Sequence, residues 1–428
     1  MEAVAGHLED WGCGGRVIGM CYDTTASNTG VDKGSAVLLQ QEYFLRPILY
    51  IECRHHVGEL LGKRPWEAIM KYDNGPEFSI YNKLRDIWPD IDIENTEITI
   101  LDIPDDDEKK KLLDFFDEIL DKKDENNEIF VRGDYREVAL ISRFMIAGEL
   151  RGGEKMKWSP PSSTSKARFL AQGLCSQKLL AFSKSQIVKE KIFSNRVNVG
   201  TEKKKKWILV EDPELLARLK RYTNYAVRFY VQYFLTASMG IEAAVTDLKL
   251  FKDLESYKLV DEVLAKEAQK TLLRHRAYLA PQMVMIALWS EKLDEDSKSR
   301  MASRLLSIPR KADYKFGLPS VPNITSATQI WDCITAESWE FFDILKQPAT
   351  FLAKPVNDWE EDDVFIKIGR VVRTMKVVND CAERGIALAK DYARCLTTDG
   401  EQRRMLYQVV EAARRKRSGC NKRDVNLD

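Results

Sequence analysis

The sequence predicts a mixed α/β chain that is mostly helical. Apolar runs closed by turn formers gather in the first seventy residues, where they read as short buried strands. Helical spacing then runs almost unbroken from 213 to 306. Strands and helices do not alternate along the whole length, as they would in a pure α/β sheet enzyme.

Composition narrows the class. At 428 residues the chain can form one large domain or two ordinary ones. Lys+Arg and Asp+Glu both number 66, so any attraction to nucleic acid has to come from local patches. Hydrophobic residues at 44% and aromatics at 10% argue for a folded chain rather than a disordered one. The eight cysteines, at 13, 21, 53, 175, 333, 381, 395 and 420, form no CxxC pair and are expected to be reduced, intracellular thiols. No apolar run approaches the roughly 20 residues that span a bilayer, and residues 1–15 are too polar for a signal peptide. A nuclear or cytoplasmic protein with no membrane partner is expected.

The elements follow in order. Residues 1–15 lack periodicity and are expected to be loose. In residues 16–30, RVIGMCYDTTASNTG, an apolar run stops at Asp23. Small hydroxyl and amide residues follow, suited to capping a helix over 33–43. A second run, 47–52, leads into Cys53-Arg54-His55-His56 and a helix through Leu61. The result is one strand–helix–strand–helix unit with a carboxylate at a strand's C-terminal end, where open α/β sheets place their chemistry. Residues 64–88 are helical around a turn at Asn74-Gly75-Pro76. A helix follows the acidic stretch 102–107, whose charges suit its N-terminal dipole. Further helices are expected over 130–150, 168–182, 213–237, 241–254, 257–288 and 294–306, with His275 inside the bundle. Residues 157–165 are a loop, the lysine run 203–206 lies in another, and 309–328 is a linker. Helical patterning resumes at 329–346 and continues from about 364 to 416. No period of 20–50 residues repeats, which argues against a solenoid.

Two segments carry a resemblance. DTTASNTG followed by ECRHH resembles the second catalytic strand of hAT-superfamily DNA transposases, and NDCAERG, 379–385, resembles the C-terminal segment that accompanies it in transposon-derived proteins of that type. The resemblance implies a truncated ribonuclease H-like α/β unit interrupted by a large all-helical insertion. It divides the chain into an N-terminal part of the core (1–62), a mainly helical insertion (63–360), C-terminal helices returning to the core (361–417) and a polar tail (418–428). It implies Asp23 and Glu383 as catalytic carboxylates sharing weakly held divalent metal. Asn28, Cys53 and His56 complete the motif.

Such nucleases place three carboxylates around two ions, one activating water and the other stabilising the leaving oxygen. Mg²⁺ or Mn²⁺ would be the cofactor of an active form, and none is expected otherwise. Without the resemblance, Asp23 reads as a turn cap and Glu383 as the partner of a nearby Arg. The first catalytic Asp belongs on a strand well upstream, and only 22 residues precede Asp23. The chain is therefore expected to be a catalytically inactive, nucleic-acid-associated or interaction scaffold. The alternatives are an active transposase or nuclease as part of a longer gene product, and a helical interaction module without nucleic acid.

Cys53-x-x-His56 has zinc-like spacing, but structural zinc needs four ligands and the other histidines are only His7, His55 and His275. A packed thiol with a satisfied histidine is expected, and nothing around the pair resembles a protease. Arg414, Arg415, Lys416 and Arg417, with Arg403 and Arg404 nearby, form a basic helix face expected to contact phosphates. No zinc-finger pattern is present. DNA bound without sequence preference, and a second copy in a homo-oligomer, are the expected partners.

Overall fold

The strands form where the apolar runs stop at polar residues. The computed structural model describes residues 1–30, 32–70, 79–122, 132–161, 170–199, 207–311 and 317–379, with 395–397, 399, 401, 402, 405, 408 and 409 beyond. In it β1 (Gly19–Tyr22) and β2 (Leu49–Glu52) pair in parallel, Gly19 opposite Leu49 and Tyr22 opposite Glu52. Parallel neighbours need a crossover. It is made by the turns Ala26–Thr29 and Ser35–Leu38 and the wider π-type turn Leu39–Phe44. Leu45, at φ 51°, stops that helix. Next to it the Arg46 guanidinium donates to the Val17 carbonyl at 2.6 Å and fixes the approach to β1.

Side chains on the strand pair alternate, as a period of two requires. Met20, Tyr22 and Tyr50 meet Ala36, Leu39 and Ala277 in a small cluster, where the rings of Tyr22 and Tyr50 stack at 5.7 Å. Cys21, Leu49 and Ile51 join the main core on the opposite face. Both faces are covered, which is the usual condition of a parallel pair. The main apolar cluster runs continuously from Leu49 to Val377.

The rest is mostly helical. Helices of nine or more residues are α1 (Glu2–Asp10), α2 (Arg54–Met70), α3 (Ser79–Ile87), α4 (Asp106–Asp121), α5 (Gly133–Ala147), α6 (Ala171–Ala181), α7 (Pro213–Tyr225), α8 (Ala243–Tyr257), α9 (Glu262–Arg274), α10 (Glu295–Leu306) and α11 (Asp363–Thr374). Helix N-termini are visible as caps, and the one at Asp261 falls inside what was expected to be a single helix over 257–288. Asp105, Asp212, Asp261, Asp294 and Asp362 each accept a backbone N–H from the helix that follows.

α2 leaves β2 directly and crosses the middle of the molecule. Pro65 lies inside it and cannot donate to the Leu61 carbonyl. The Tyr225 hydroxyl donates to that carbonyl instead, at 2.8 Å, while Tyr222 donates to the Gly62 carbonyl at 2.8 Å. Gly62 permits the approach, since a Cβ there would lie 2.7 Å from the Tyr230 ring. At the start of α2 the fully buried Arg54 is paired with Asp247 at 2.7 Å and faces the rings of Tyr233 and Tyr278. Burial pushes the Asp247 carboxyl up against the pull of Arg54. The pair ties the strand unit to α8.

Several expectations are corrected. Residues 2–10 are helical rather than loose, although none of them is buried. An antiparallel hairpin, β3 (Ser194–Asn198) with β4 (Trp207–Glu211), flanks the lysine run 203–206, which lies outside the described residues. The hairpin was hidden because Val197, Ile208, Leu209 and Val210 are all exposed, so apolar and polar positions do not alternate. His275 is the C-cap of α9, not a residue within a helix. The helix expected from 364 ends at Thr374, and the chain runs extended through Asn379. Tertiary pairing accounts for this: the Val377 carbonyl accepts from the Arg54 N–H at 3.0 Å.

Candidate functional site

The C-terminal ends of β1 and β2 lie side by side and deliver Asp23 and Cys53 to one edge. Asp23 begins the turn that the small polar residues predicted. Its Oδ1 accepts from the Thr25 N–H at 2.9 Å, the Thr25 hydroxyl at 2.5 Å and the Asn28 amide at 2.7 Å. Burial pushes the carboxyl up, but these bonds and the nearby His56 outweigh it and hold Asp23 below its ordinary range. Asn28 is thereby assigned a role, since it fastens the carboxylate to its own loop.

Cys53 follows β2, its N–H donating to the Tyr22 carbonyl at 2.8 Å. Its thiol is fully buried. A hydrogen bond from Cys21 lowers its pKa most, burial opposes, and bonds from His56 and the Asn379 N–H lower it further. Burial draws the His56 imidazole down, yet its bond to Cys53 and the charges of Cys53, Asp23 and Glu59 raise it above its ordinary value. The two shifts share one contribution, the hydrogen bond between Cys53 and His56, which favours the charged form of each. His55, the adjacent ring, is a core residue stacked on Phe234 at 4.3 Å.

The returning chain closes this edge. The Asn379 N–H donates to Cys53 Sγ at 3.0 Å and its side-chain amide donates to the Cys21 carbonyl at 3.3 Å. Asn379 Oδ1 is buried without a partner among the described residues. On the other flank Glu52 meets His275 Nδ1 at 3.2 Å, and Tyr278 donates to the Glu52 carbonyl at 2.6 Å.

Asp23, Asn28, Cys53 and His56 are therefore brought together. Glu383, Arg403, Arg404, Arg414, Arg415, Lys416 and Arg417 lie outside the described residues. Cys21, Asn379 and His275 were missed as site residues. Cys21 could have been found from its place two residues before Asp23 on the same strand, and Asn379 as the first residue of the NDCAERG segment. His275 had no local signal, because its partner Glu52 lies 223 positions away.

Mg²⁺ and Mn²⁺ require hard oxygen ligands. The described residues fit them poorly: Asp23 Oδ1 already accepts three bonds, and the neighbouring Cys21, Cys53 and His56 are softer donors. Among the described residues no group of three or more His, Cys, Asp or Glu side chains is arranged to share an ion. Among the described residues no helix is long and apolar enough to cross a membrane. No protein family, curated protein or solved structure matches the chain.

Proposed function

We propose that this chain is a hAT-transposase-like, transposon-derived protein that retains part of a ribonuclease H-like unit and binds nucleic acid through its C-terminal basic residues without cutting it. The observation that supports this most is the junction of the returning segment with the strand edge. Asn379 reaches both Cys21 and Cys53 across 358 and 326 positions, and it opens the NDCAERG segment. In the resembled family that segment carries the closing carboxylate, here Glu383. The resemblance predicts that Asn379 meets the end of the strand that leads to Asp23, and these two bonds fit that expectation. The expectation of no cleavage rests on the missing first catalytic Asp, and the sulfur and imidazole groups beside Asp23 are poor ligands for Mg²⁺.

DNA binding and strand cleavage have to be measured together. The full chain should bind duplex DNA of unrelated sequences with similar, strongly salt-dependent affinity, because phosphate contacts are its source of affinity. Replacing Arg414, Arg415, Lys416 and Arg417 with Ala should flatten that dependence. With Mg²⁺ or Mn²⁺ present, supercoiled DNA should remain uncut. Metal-dependent nicking that Asp23→Ala abolishes would establish a nuclease instead, and salt-independent or absent binding would remove the nucleic-acid role.

A further inference from the structure

We propose that a cationic notch between α2 and α9 is a docking site for a nucleic-acid backbone phosphate. The proposal rests on the nucleic-acid reading above and adds the place where the strand is held. A cavity of about 140 Å³ is lined by Leu60 and Arg64 of α2, by Glu267, Lys270, Thr271 and Arg274 of α9, and by His275. At about 30 Å³ per water, it holds the equivalent of four or five waters, enough for a phosphate group with part of its hydration shell.

Charge decides the class of ligand. Arg64, Lys270 and Arg274 bring three positive charges to the notch, and the carboxylates of Glu67 and Glu267 partner two of them, which leaves one in excess. Lys270 is loosely paired with Glu267 at 3.4 Å, and Arg64 pairs with Glu67 at 3.0 Å. Among the described residues Arg274 has no ion-pair partner. Cations at the end of α9 also suit its exposed carbonyls, which accounts for Arg274. It does not account for Arg64, which comes from a different helix and is exposed. The charge in excess among the described residues is that of Arg274, and an anion entering the notch would be attracted by it and by the loosely paired Lys270 beside it.

Position decides in favour of a polymer over a free anion. His275 lines the notch and also contacts Glu52, the last residue of β2, at 3.2 Å. The notch therefore borders the edge that holds Asp23 and Cys53. Arg64 lies ten residues along α2 from Arg54, or roughly 15 Å at 1.5 Å per residue. That distance matches four or five nucleotides at about 3.4 Å each. A strand lying across the edge would place a phosphate in the notch.

The test compares three full-length proteins in DNA titrations over a series of salt concentrations. One is the natural chain, one carries Arg64→Ala, Lys270→Ala and Arg274→Ala, and one carries Lys252→Ala, Lys298→Ala and Lys346→Ala as an equal loss of charge elsewhere. Circular dichroism confirms that each is folded. At a slope of about 0.9 per phosphate contact, the notch variant, which loses one contact, should lose roughly one unit from the log–log salt slope. Between about 50 and 200 mM salt, the natural chain should then lose roughly three- to four-fold more affinity than the notch variant. The control should change far less. Equal flattening in both variants, or an unchanged slope in the notch variant, overturns the notch while leaving the nucleic-acid reading intact. No DNA binding by the natural chain overturns both. Titration with inorganic phosphate completes the test: saturable binding lost in the notch variant, without DNA binding, would make the notch a small-anion site and refute the proposal.

Discussion

At the scale of the residue, the chemistry at the strand edge is set by His56. Its folded pKa lies above the ordinary value of about 6.5 because the charges of Cys53, Asp23 and Glu59 outweigh burial. A group raised in the folded state contributes stability that is fully present below its unfolded pKa and is lost as pH rises through the folded one. His56→Gln should therefore destabilise the protein by about 1–2 kcal/mol near pH 6, the order of a hydrogen bond to a charged group. The difference should shrink steadily above neutrality. Urea unfolding of both proteins at stepped pH measures it, and a pH-independent difference would mean that His56 acts only by packing. The Cys-x-x-His spacing was legible as a packed pair from sequence, and its four-ligand argument against zinc used only residue counts. The thiol of Cys21 and the amide of Asn379 were not legible as its partners, because both reach Cys53 through tertiary contacts.

At the scale of the element, α2 is held by bonds that its own sequence makes necessary. Pro65 leaves the Leu61 carbonyl without its helical donor, and Tyr225 supplies one from α7. Tyr225→Phe keeps the ring and removes only the hydroxyl, leaving a buried acceptor unsatisfied. A loss of about 1–3 kcal/mol is expected in denaturant unfolding, with an unchanged m-value if the fold is intact. A loss near zero would show that water replaces the hydroxyl. That a single helix would run unbroken through Pro65 was not legible, since one helix was expected to end at Leu61 and another to begin at Arg64. The capped helices after Asp105, Asp212, Asp294 and Asp362 were legible from their apolar spacing, but the one after Asp261 was merged into a single expected run over 257–288. The failure at 375–379 has the opposite cause: Val377 and Val378 continue a helical pattern, but a backbone bond to Arg54 makes the extended form the better one.

At the scale of the whole molecule, the strand unit and residues 375–378 belong to one core. Residues 380–385 of the second motif segment lie outside the described residues, whereas the long helical stretch in the middle of the chain was legible from its apolar spacing. The hairpin and the notch were not, because one has no alternation to reveal it and the other is assembled from helices about 200 positions apart. The central claim is that docking of Asn379 carries the NDCAERG segment to the Asp23 edge. The separation of the Asp23 and Glu383 carboxylates in an experimental electron-density map tests it most directly. The account predicts a separation of roughly 4–8 Å, the reach of groups around ions about 4 Å apart. Glu383 directed away from the edge, with other side chains between it and Asp23, would contradict it.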